Sequence, residues 1–289
     1  MAPDFQKLFV DRVAAIRALT DGAGNPAFNA LKSVDLEEVT SLISSLQNKQ
    51  CRSDLLPTWL LKECTSELVP FIRRFFNASL RSGRVPQSFK SAYITPLLKK
   101  VGLDNTDIKN YQPISNLTVT SKMLERVILQ RLLEHLKVNG LFPSVQSAYR
   151  KYHSTETAMA RVISDILMAL DRDDVAALAL LDLSAAFDMV DHSILLRHLR
   201  ESYGISGRVL TWINSYLTDR QQSVCHAGML SAQEYIKFGV PQGSVPVASE
   251  PGGIGEIDLP VVNPGGIIPP LCRQNCVQKL RYMGANNYE

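Results

Sequence analysis

The sequence predicts an α+β or α/β protein, on three observations. A nearly all-apolar run at 175–183 is typical of a strand buried on both faces. Amphipathic patterns with helical spacing lie on both sides of this run. Short strand-like runs also occur at 92–98, 221–226 and 235–240. Strands and helices mixed in this order are typical of those two fold classes.

The composition bounds the class of protein. The 289 residues are 45% hydrophobic and 20% charged, enough to bury one large core or two smaller ones. A net charge of +3 permits a nucleic-acid partner without arguing for one. The N-terminal ten residues contain neither a signal peptide nor a membrane span, so the expected location is the nucleus or the cytoplasm, with no membrane partner. Five scattered cysteines are interpreted as free thiols: Cys51, Cys64, Cys225, Cys272 and Cys276.

The first fifty residues are predicted to be a helical extension. Its second helix starts at Asp35, with Glu38 three residues later in a capping-box pattern. A further helical segment runs from 57 to 80 and ends near Gly83. Its predicted buried side chains are Trp59, Leu60, Leu61, Phe71, Ile72, Phe75 and Phe76.

The middle of the chain alternates strands and helices. The strand at 92–98 ends in Lys99 and Lys100, and a long helix after it stops at Gly140. Another helix covers about 154–170 and precedes the apolar strand. Two more are predicted after that strand, at 192–203 and 208–217.

The character of the chain changes near residue 246. Between Pro251 and Pro270, ten of twenty residues are Gly or Pro, a density at which irregular chain is expected. Residues 246–289 are therefore predicted to be a separate, irregular and disordered tail.

Asp182 at the exit of the apolar strand is the first residue to weigh as a functional group. A carboxylate emerging from a buried strand is costly unless it is paired or binds a metal. Asp182 or Ser184 could instead cap the helix that follows. Spacing alone leaves both interpretations open.

Two sequence blocks around this strand resemble a known family. Residues 180–192 (LLDLSAAFDMVDH) and 238–244 (FGVPQGS) resemble motifs A and B in the palm of a reverse transcriptase. Upstream blocks resemble its fingers motifs: AYITPLLKK at 92–100, NYQPISNL at 110–117, QSAYR at 146–150 and STETA at 154–158. The resemblance covers roughly 1–245 and is to non-LTR (LINE-type) retrotransposons of the CR1 and jockey-like group.

The resemblance implies a fold and an activity. It implies an α+β right-hand polymerase, with fingers at 51–178, an incomplete palm at 179–245 and the irregular tail beyond. The family activity is RNA-directed DNA polymerisation with two Mg²⁺ ions. The implied partners are an RNA template, an RNA–DNA hybrid and deoxynucleoside triphosphates.

The resemblance also assigns roles to motif residues. Asp182 is the catalytic carboxylate and, with the carbonyl of Leu183, a Mg²⁺ ligand. Phe187 is an aromatic gate against the ribose 2′-hydroxyl, although an aromatic at this position could simply be a core residue. Gln242 and Gly243 form the turn that approaches template and nucleotide, although any turn may use such a string.

The fingers blocks supply the remaining candidate substrate-binding residues. Lys99, Lys100 and Arg150 would neutralise phosphates, and without the resemblance they are ordinary solvated charges. Gln112 stands where the family usually has Arg, and it lacks the charged fork that Arg offers a phosphate. Asp188 and Asp191 are interpreted as helix-start carboxylates.

The chain also departs from the family after motif B. The aromatic-Ala-Asp-Asp turn called motif C is missing, and Asp258 is the only Asp after Val245. We therefore expect a reverse transcriptase truncated within the palm and inactive as it stands. The alternatives are a non-enzymatic fragment that binds RNA or an RNA–DNA hybrid, and a translated relic with no selected function.

Overall fold

The structure is a mixed α+β fold. It is a computed structural model that describes residues 26–48, 51, 54–141, 147, 152–173, 175–181, 190–226, 228–241, 262–263, 266–267 and 276–282. The chain divides into two compact units, 1–141 with 187–246 and 142–186 with 247–289. The predicted helix within the first 25 residues lies outside the described residues.

The helices of the first unit start and stop where local chemistry dictates. They are α1 (Leu36–Ser44), α2 (Thr58–Glu63), α3 (Thr65–Ser82), α4 (Val119–Val138), α6 (His192–Tyr203) and α7 (Gly207–Leu217). Asp35 caps α1 by accepting a hydrogen bond from the Glu38 amide at 2.8 Å. Gly83 and Gly204 end α3 and α6 in the left-handed conformation, and the end of α3 at Gly83 agrees with the prediction.

The sheet of the first unit has strands that are distant in sequence. Its strands are β1 (Ser91–Leu98), β2 (Tyr111–Asn116), β4 (Gln221–His226), β5 (Met229–Leu230) and β6 (Glu234–Tyr235). The order is β2-β1-β4-β5, and β6 also pairs with β4. The β1–β2 pair is antiparallel, whereas β1 and β4 are parallel, with Ser91 opposite Gln221.

The second unit contains α5 (Thr155–Leu170) and β3 (Val175–Leu181). Ser154 and Thr157 form a capping box at the start of α5. Strand β3 pairs antiparallel with β9 (Cys276–Tyr282), and β7 (Val262–Asn263) pairs with β8 (Gly266–Ile267).

The segment before α1 is hydrogen-bonded to the chain between α6 and α7. Phe28 donates its amide hydrogen to the Gly204 carbonyl at 2.9 Å, and its own carbonyl accepts from Ser206 at 3.0 Å. The Asn29 carbonyl accepts from Arg208 at 2.9 Å. Further along, the buried Asn77 side chain bonds both the amide and the carbonyl of Val34, at 2.8 and 2.9 Å. Residues 26–35, called the strap below, are therefore tied to this unit by hydrogen bonds, and of their side chains only Val34 is buried in its core.

Four expectations differ from the structure. Trp59, Phe71 and Phe75 are 54, 72 and 43% exposed, so the prediction that they are buried is wrong, whereas Leu61 and Phe76 are buried. The strand predicted at 235–240 reduces to Glu234–Tyr235, and the chain has a positive φ of +84° at Gly239, within the predicted strand.

The other two differences concern the second unit. Leu178 in the middle of β3 is 44% exposed, so the strand is not buried on both faces at that position. Within the tail that was predicted to be irregular, the described residues form β7, β8 and β9. Strand β9 lies in a stretch, 271–283, that contains neither Gly nor Pro, so the composition that predicts irregular chain stops before it.

A substitution at Gly207 tests how closely the strap packs against the start of α7. Its φ is +53°, and an added Cβ would lie 2.7 Å from the Asn29 carbonyl oxygen. We expect Gly207→Ala to lower the free energy of unfolding by about 2 kcal/mol or more, from backbone strain plus this clash.

The matched control is Gly140→Ala, because Gly140 has a φ of +63° but nothing within 4 Å of an added Cβ. It should lose only the backbone term, about 1 kcal/mol. Urea unfolding followed by circular dichroism measures both variants. Equal losses would contradict a close approach of the strap to Gly207.

Candidate functional site

The first predicted site residue follows strand β3 directly. The strand ends at Leu181, one position before Asp182 in the sequence. Asp182, Leu183 and Phe187 themselves lie outside the described residues, as do Arg150, Gln242 and Gly243. Their roles therefore stay predictions.

The β1–β2 hairpin brings together two of the other predicted residues. Gln112 on β2 lies opposite Leu97 on β1, two residues before Lys99. The Lys99 amide donates to the Asn110 carbonyl at 2.9 Å, which extends the pairing past the end of β1. Lys99 and Lys100 are both exposed, whereas Gln112 is half-buried. Two cations thus stand at the end of the hairpin, and Gln112 lies on the paired strand opposite Leu97.

The loop that joins β1 to β2 is held by its own side chains. The Lys99 ammonium donates to the Lys109 carbonyl at 2.7 Å. The Asp104 carboxylate accepts from the Thr106 amide at 2.9 Å and from its hydroxyl at 2.7 Å, and these bonds lower the pKa of Asp104. The Tyr111 hydroxyl donates to the Asn105 carbonyl at 3.0 Å. The lysines therefore project from a loop with a defined conformation.

The end of motif A begins helix α6. Asp191 is its N-cap and accepts from the Ser193 amide at 2.8 Å and the Ile194 amide at 3.0 Å. Hydrogen bonds from the Ser193 hydroxyl and the Ile194 amide hold the pKa of Asp191 below its ordinary value. This confirms the interpretation of Asp191 as a helix-start carboxylate, whereas Asp188 lies outside the described residues.

The structure joins the end of motif A to the start of motif B. The Gly239 amide donates to the Val190 carbonyl at 2.8 Å. The Gly239 carbonyl oxygen lies 2.7 Å from Nε2 of His192, and because a carbonyl can only accept, Nε2–H is the donor. Sequence reasoning missed this contact, since neither hydrophobic period nor motif spacing relates residues 47 positions apart.

A buried polar cluster in the first unit was also missed. Glu125 on α4 and Arg220 at the start of β4 are 6 and 1% exposed, and Lys90 before β1 is 6% exposed. The Arg220 guanidinium lies over the Tyr216 ring, 4.6 Å from its centroid, and donates to the Tyr216 carbonyl at 3.0 Å. Among the described residues, Nε and Nη2 of Arg220 have no hydrogen-bond partner.

Burial sets the protonation of this cluster. It raises the pKa of Glu125 from 4.5 to about 8, and attraction to Arg220 and a hydrogen bond from Ser121 only partly oppose that rise. Burial also lowers the pKa of Lys90, which Asp219 opposes and Arg220 reinforces. At neutral pH the Glu125 carboxyl is therefore mostly protonated. No sequence signal marks the cluster, because its members come from three separate elements.

No metal centre can be built from the side chains that the structure describes. Within the described ranges, His, Cys, Asp and Glu do not form any group of three or more able to hold an ion. The structure therefore does not test the Mg²⁺ ligands predicted at Asp182 and Leu183. In the same ranges, none of the helices is both long and apolar enough to cross a membrane.

Comparison with known proteins identifies the family. Residues 98–249, more than half of the chain, match the reverse transcriptase (RNA-dependent DNA polymerase) family. The match includes the β1–β2 loop, both motif blocks and the junction at Gly239. The chain therefore belongs to the reverse transcriptase family, as the motifs predicted.

The relatives that the chain matches are polymerases from mobile elements. The chain is 35% identical over 213 residues to the RNA-directed DNA polymerase from mobile element jockey of Drosophila funebris, covering 73% of this chain and 23% of that protein. Its counterpart in Drosophila melanogaster is 34% identical over 216 residues, 74% of this chain and 23% of the relative. The probable RNA-directed DNA polymerase from transposon BS of Drosophila melanogaster is 30% identical over 221 residues, which are 74% of this chain and 24% of that protein.

These relatives confirm the resemblance to jockey-like, non-LTR retrotransposons. The chain spans about a quarter of the length of the curated relatives that it matches. It is thus a reverse transcriptase domain of a LINE-type element.

The protonation of Glu125 predicts how stability depends on pH. The folded state holds this proton up to about pH 8, whereas the unfolded chain releases it near 4.5. The free energy of unfolding should therefore fall as pH rises between these values, by up to about 1.4 kcal/mol per pH unit from this group. Glu125→Gln, which cannot titrate, should remove that component.

The measurement is urea unfolding at several pH values between these limits. The control is Glu134→Gln, which changes an exposed glutamate on the same helix. The stability difference between wild type and Glu125→Gln should change with pH, and that for Glu134→Gln should change less. Parallel pH profiles for wild type and Glu125→Gln would show that Glu125 is not protonated by burial.

Proposed function

We propose that the chain provides the fingers (51–178) and part of the palm (179–245) of a retrotransposon RNA-directed DNA polymerase. The observation that carries this proposal is the family match over residues 98–249, a range that includes the β1–β2 loop and both motif blocks. The substrates in this proposal are an RNA template, the RNA–DNA hybrid formed on it, and deoxynucleoside triphosphates.

The proposed roles follow the motif positions. Lys99, Lys100 and Arg150 neutralise phosphates of the template or the nucleotide. Phe187 excludes a ribose 2′-hydroxyl by steric clash. Gln242 supplies a donor and an acceptor beside Gly243, whose missing side chain lets the backbone approach the substrate. The exposure of Lys99 and Lys100 on a self-braced loop supports their part in this arrangement.

The proposed site has too few ligands for the metal ions of this family. Mg²⁺ in this family activates the primer hydroxyl and neutralises the triphosphate. The Asp182 carboxylate and the Leu183 carbonyl are oxygen ligands of the kind that Mg²⁺ prefers. Two ions need several carboxylate oxygens, and these 289 residues contain no Asp-Asp pair after motif B. The residues present therefore do not fit a two-ion site.

From this donor set we infer that the 289-residue chain does not polymerise DNA by itself. The expected result is no extension of a DNA primer on an RNA template in the presence of Mg²⁺ and all four deoxynucleotides. A gel-based primer-extension assay with the purified chain measures this. Extension by wild type that disappears in Asp182→Asn would overturn the inference, because it would show a working site built on Asp182.

The second candidate function is binding of RNA or an RNA–DNA hybrid without chemistry. The observation that favours it is the pair of exposed lysines at the end of the β1–β2 hairpin. Binding through phosphates depends on cations and on counterion release, and it does not need the metal ligands. A chain without a complete metal site could therefore retain it.

Mutation of the cations separates binding from catalysis. We expect the double variant Lys99→Ala/Lys100→Ala to weaken hybrid binding about tenfold at low salt and to reduce the salt slope by about one to two. Arg150→Ala should weaken binding in the same direction, and Asp182→Ala should leave it unchanged. Fluorescence anisotropy with a labelled RNA–DNA hybrid, titrated at several salt concentrations, measures both quantities.

The control for these variants is Lys137→Ala, which removes an exposed lysine at the far end of α4. It should change affinity much less than the hairpin variants. Equal losses in all lysine variants would indicate non-specific attraction to the positive charge of the chain. No binding by wild type at low salt would refute the binding function and favour a relic without selected function.

A further inference from the structure

The main chain of Gly239 is held on both sides by the segment that ends motif A. Its amide bonds the Val190 carbonyl at 2.8 Å, and its carbonyl accepts from His192 Nε2 at 2.7 Å. Gly239 is itself buried, and its φ of +84° lies in the region that glycine adopts at little cost. The two bonds and the backbone conformation together fix the direction in which the chain leaves Gly239.

The residues that hydrogen-bond to Gly239 are held in place by burial and by a helix cap. Val190 is 1% exposed, and Asp191 caps helix α6 through the amides of Ser193 and Ile194. His192 is the first residue of that helix, whose inner side is anchored by the buried Leu195 and Leu199. The imidazole therefore projects from a capped and packed helix start, so it can act as a fixed donor.

The chain after Gly239 has little freedom to undo this placement. Pro241 has its φ locked by its ring, and Val240 before it is restricted to extended conformations. Pro241 is buried as well. A fixed Gly239 therefore determines where the Pro241-Gln242-Gly243 turn begins.

We propose that His192 is a positioning residue for the Pro241-Gln242-Gly243 turn, acting through its hydrogen bond to the Gly239 carbonyl. This inference rests on the proposed function, in which that turn approaches template and nucleotide. His192 does not touch the substrate. It ties the start of motif B, at Gly239, to the end of motif A, at Val190 and His192.

The proposal is tested by removing the hydrogen-bond donor at position 192 and by replacing it with another donor. His192→Ala removes the donor, whereas His192→Gln carries an amide nitrogen that can reach the position of Nε2 and donate to the same carbonyl. The matched control is His226→Ala, which removes an exposed histidine on β4. All three variants are made in the full 289-residue chain, and their thermal unfolding is measured first.

The first readout is hydrogen–deuterium exchange of the peptide that contains Gly239, whose amide is the donor to Val190. Loss of one of the two bonds on Gly239 should speed its exchange about tenfold in His192→Ala. His192→Gln and His226→Ala should exchange like wild type. Exchange that is unchanged in His192→Ala, or raised equally in His192→Gln, would overturn the proposal.

The second readout is affinity for an RNA–DNA hybrid with a single-stranded template overhang. We expect the Kd to rise about fivefold in His192→Ala, with wild-type affinity in His192→Gln and an unchanged midpoint of thermal unfolding. A merely structural histidine would change the unfolding midpoint and would not be rescued in binding by Gln. Faster exchange at Gly239 with an unchanged Kd would overturn the positioning role.

The two readouts also separate this inference from the proposed function. If wild type does not bind the hybrid at low salt, the binding function fails and the link from His192 to substrate is overturned with it, whatever the exchange data show. If wild type binds but His192→Ala exchanges and binds like wild type, only the inference about His192 fails.

Discussion

The hydrogen bonds between the strap and the turn that joins α6 to α7 are the constraint on which the first unit depends. Phe28 and Asn29 satisfy three backbone groups in that turn, at Gly204, Ser206 and Arg208. A turn between two packed helices has few other partners for its buried backbone polar groups, and an unpaired group there is costly. Residues near the beginning of the chain therefore complete a turn near residue 205.

The same strap connects the helices of this unit to one another. Asn77 on α3 satisfies both backbone groups of Val34. Arg131 on α4 donates to the Lys32 carbonyl at 3.2 Å and forms an ion pair with Glu38 on α1, with Nη2 2.8 Å from Oε2. Glu38 thus binds Arg131 although the sequence placed it in a capping box. The strap holds α6 by its C-terminal end, and α6 presents His192 to Gly239 from its N-terminal end.

The sequence predicted the helices well because their signals are local. Caps such as Asp35 and Ser154, and stops such as Gly83 and Gly204, act within one turn of helix, so no knowledge of distant contacts is needed. The motif blocks likewise predicted the family, and the apolar run at 175–183 predicted the strand observed at Val175–Leu181.

The failures involve burial, one backbone conformation and contacts between distant parts of the chain. A helical period predicts that an apolar side exists but not how much of it is covered, so Trp59 and Phe71 were wrongly predicted to be buried. The strand at 235–240 was overestimated, since only Glu234 and Tyr235 pair with β4, and the pattern reveals neither this pairing nor the positive φ at Gly239. Glu125 and Arg220 are 95 positions apart in a sequence where each looks like an ordinary surface charge.

The parallel pairing of β1 with β4 has a consequence for how the protein is made. Residues 91–94 pair with 221–224, so one edge of β1 stays unpaired until the ribosome has added nearly 130 further residues. At about 5 to 20 residues per second, that delay lasts roughly 6 to 25 seconds. Over this interval the β1–β2 hairpin has an open edge, which other nascent strands can join. Synthesis beyond residue 224 is therefore the step that protects the growing chain from aggregation.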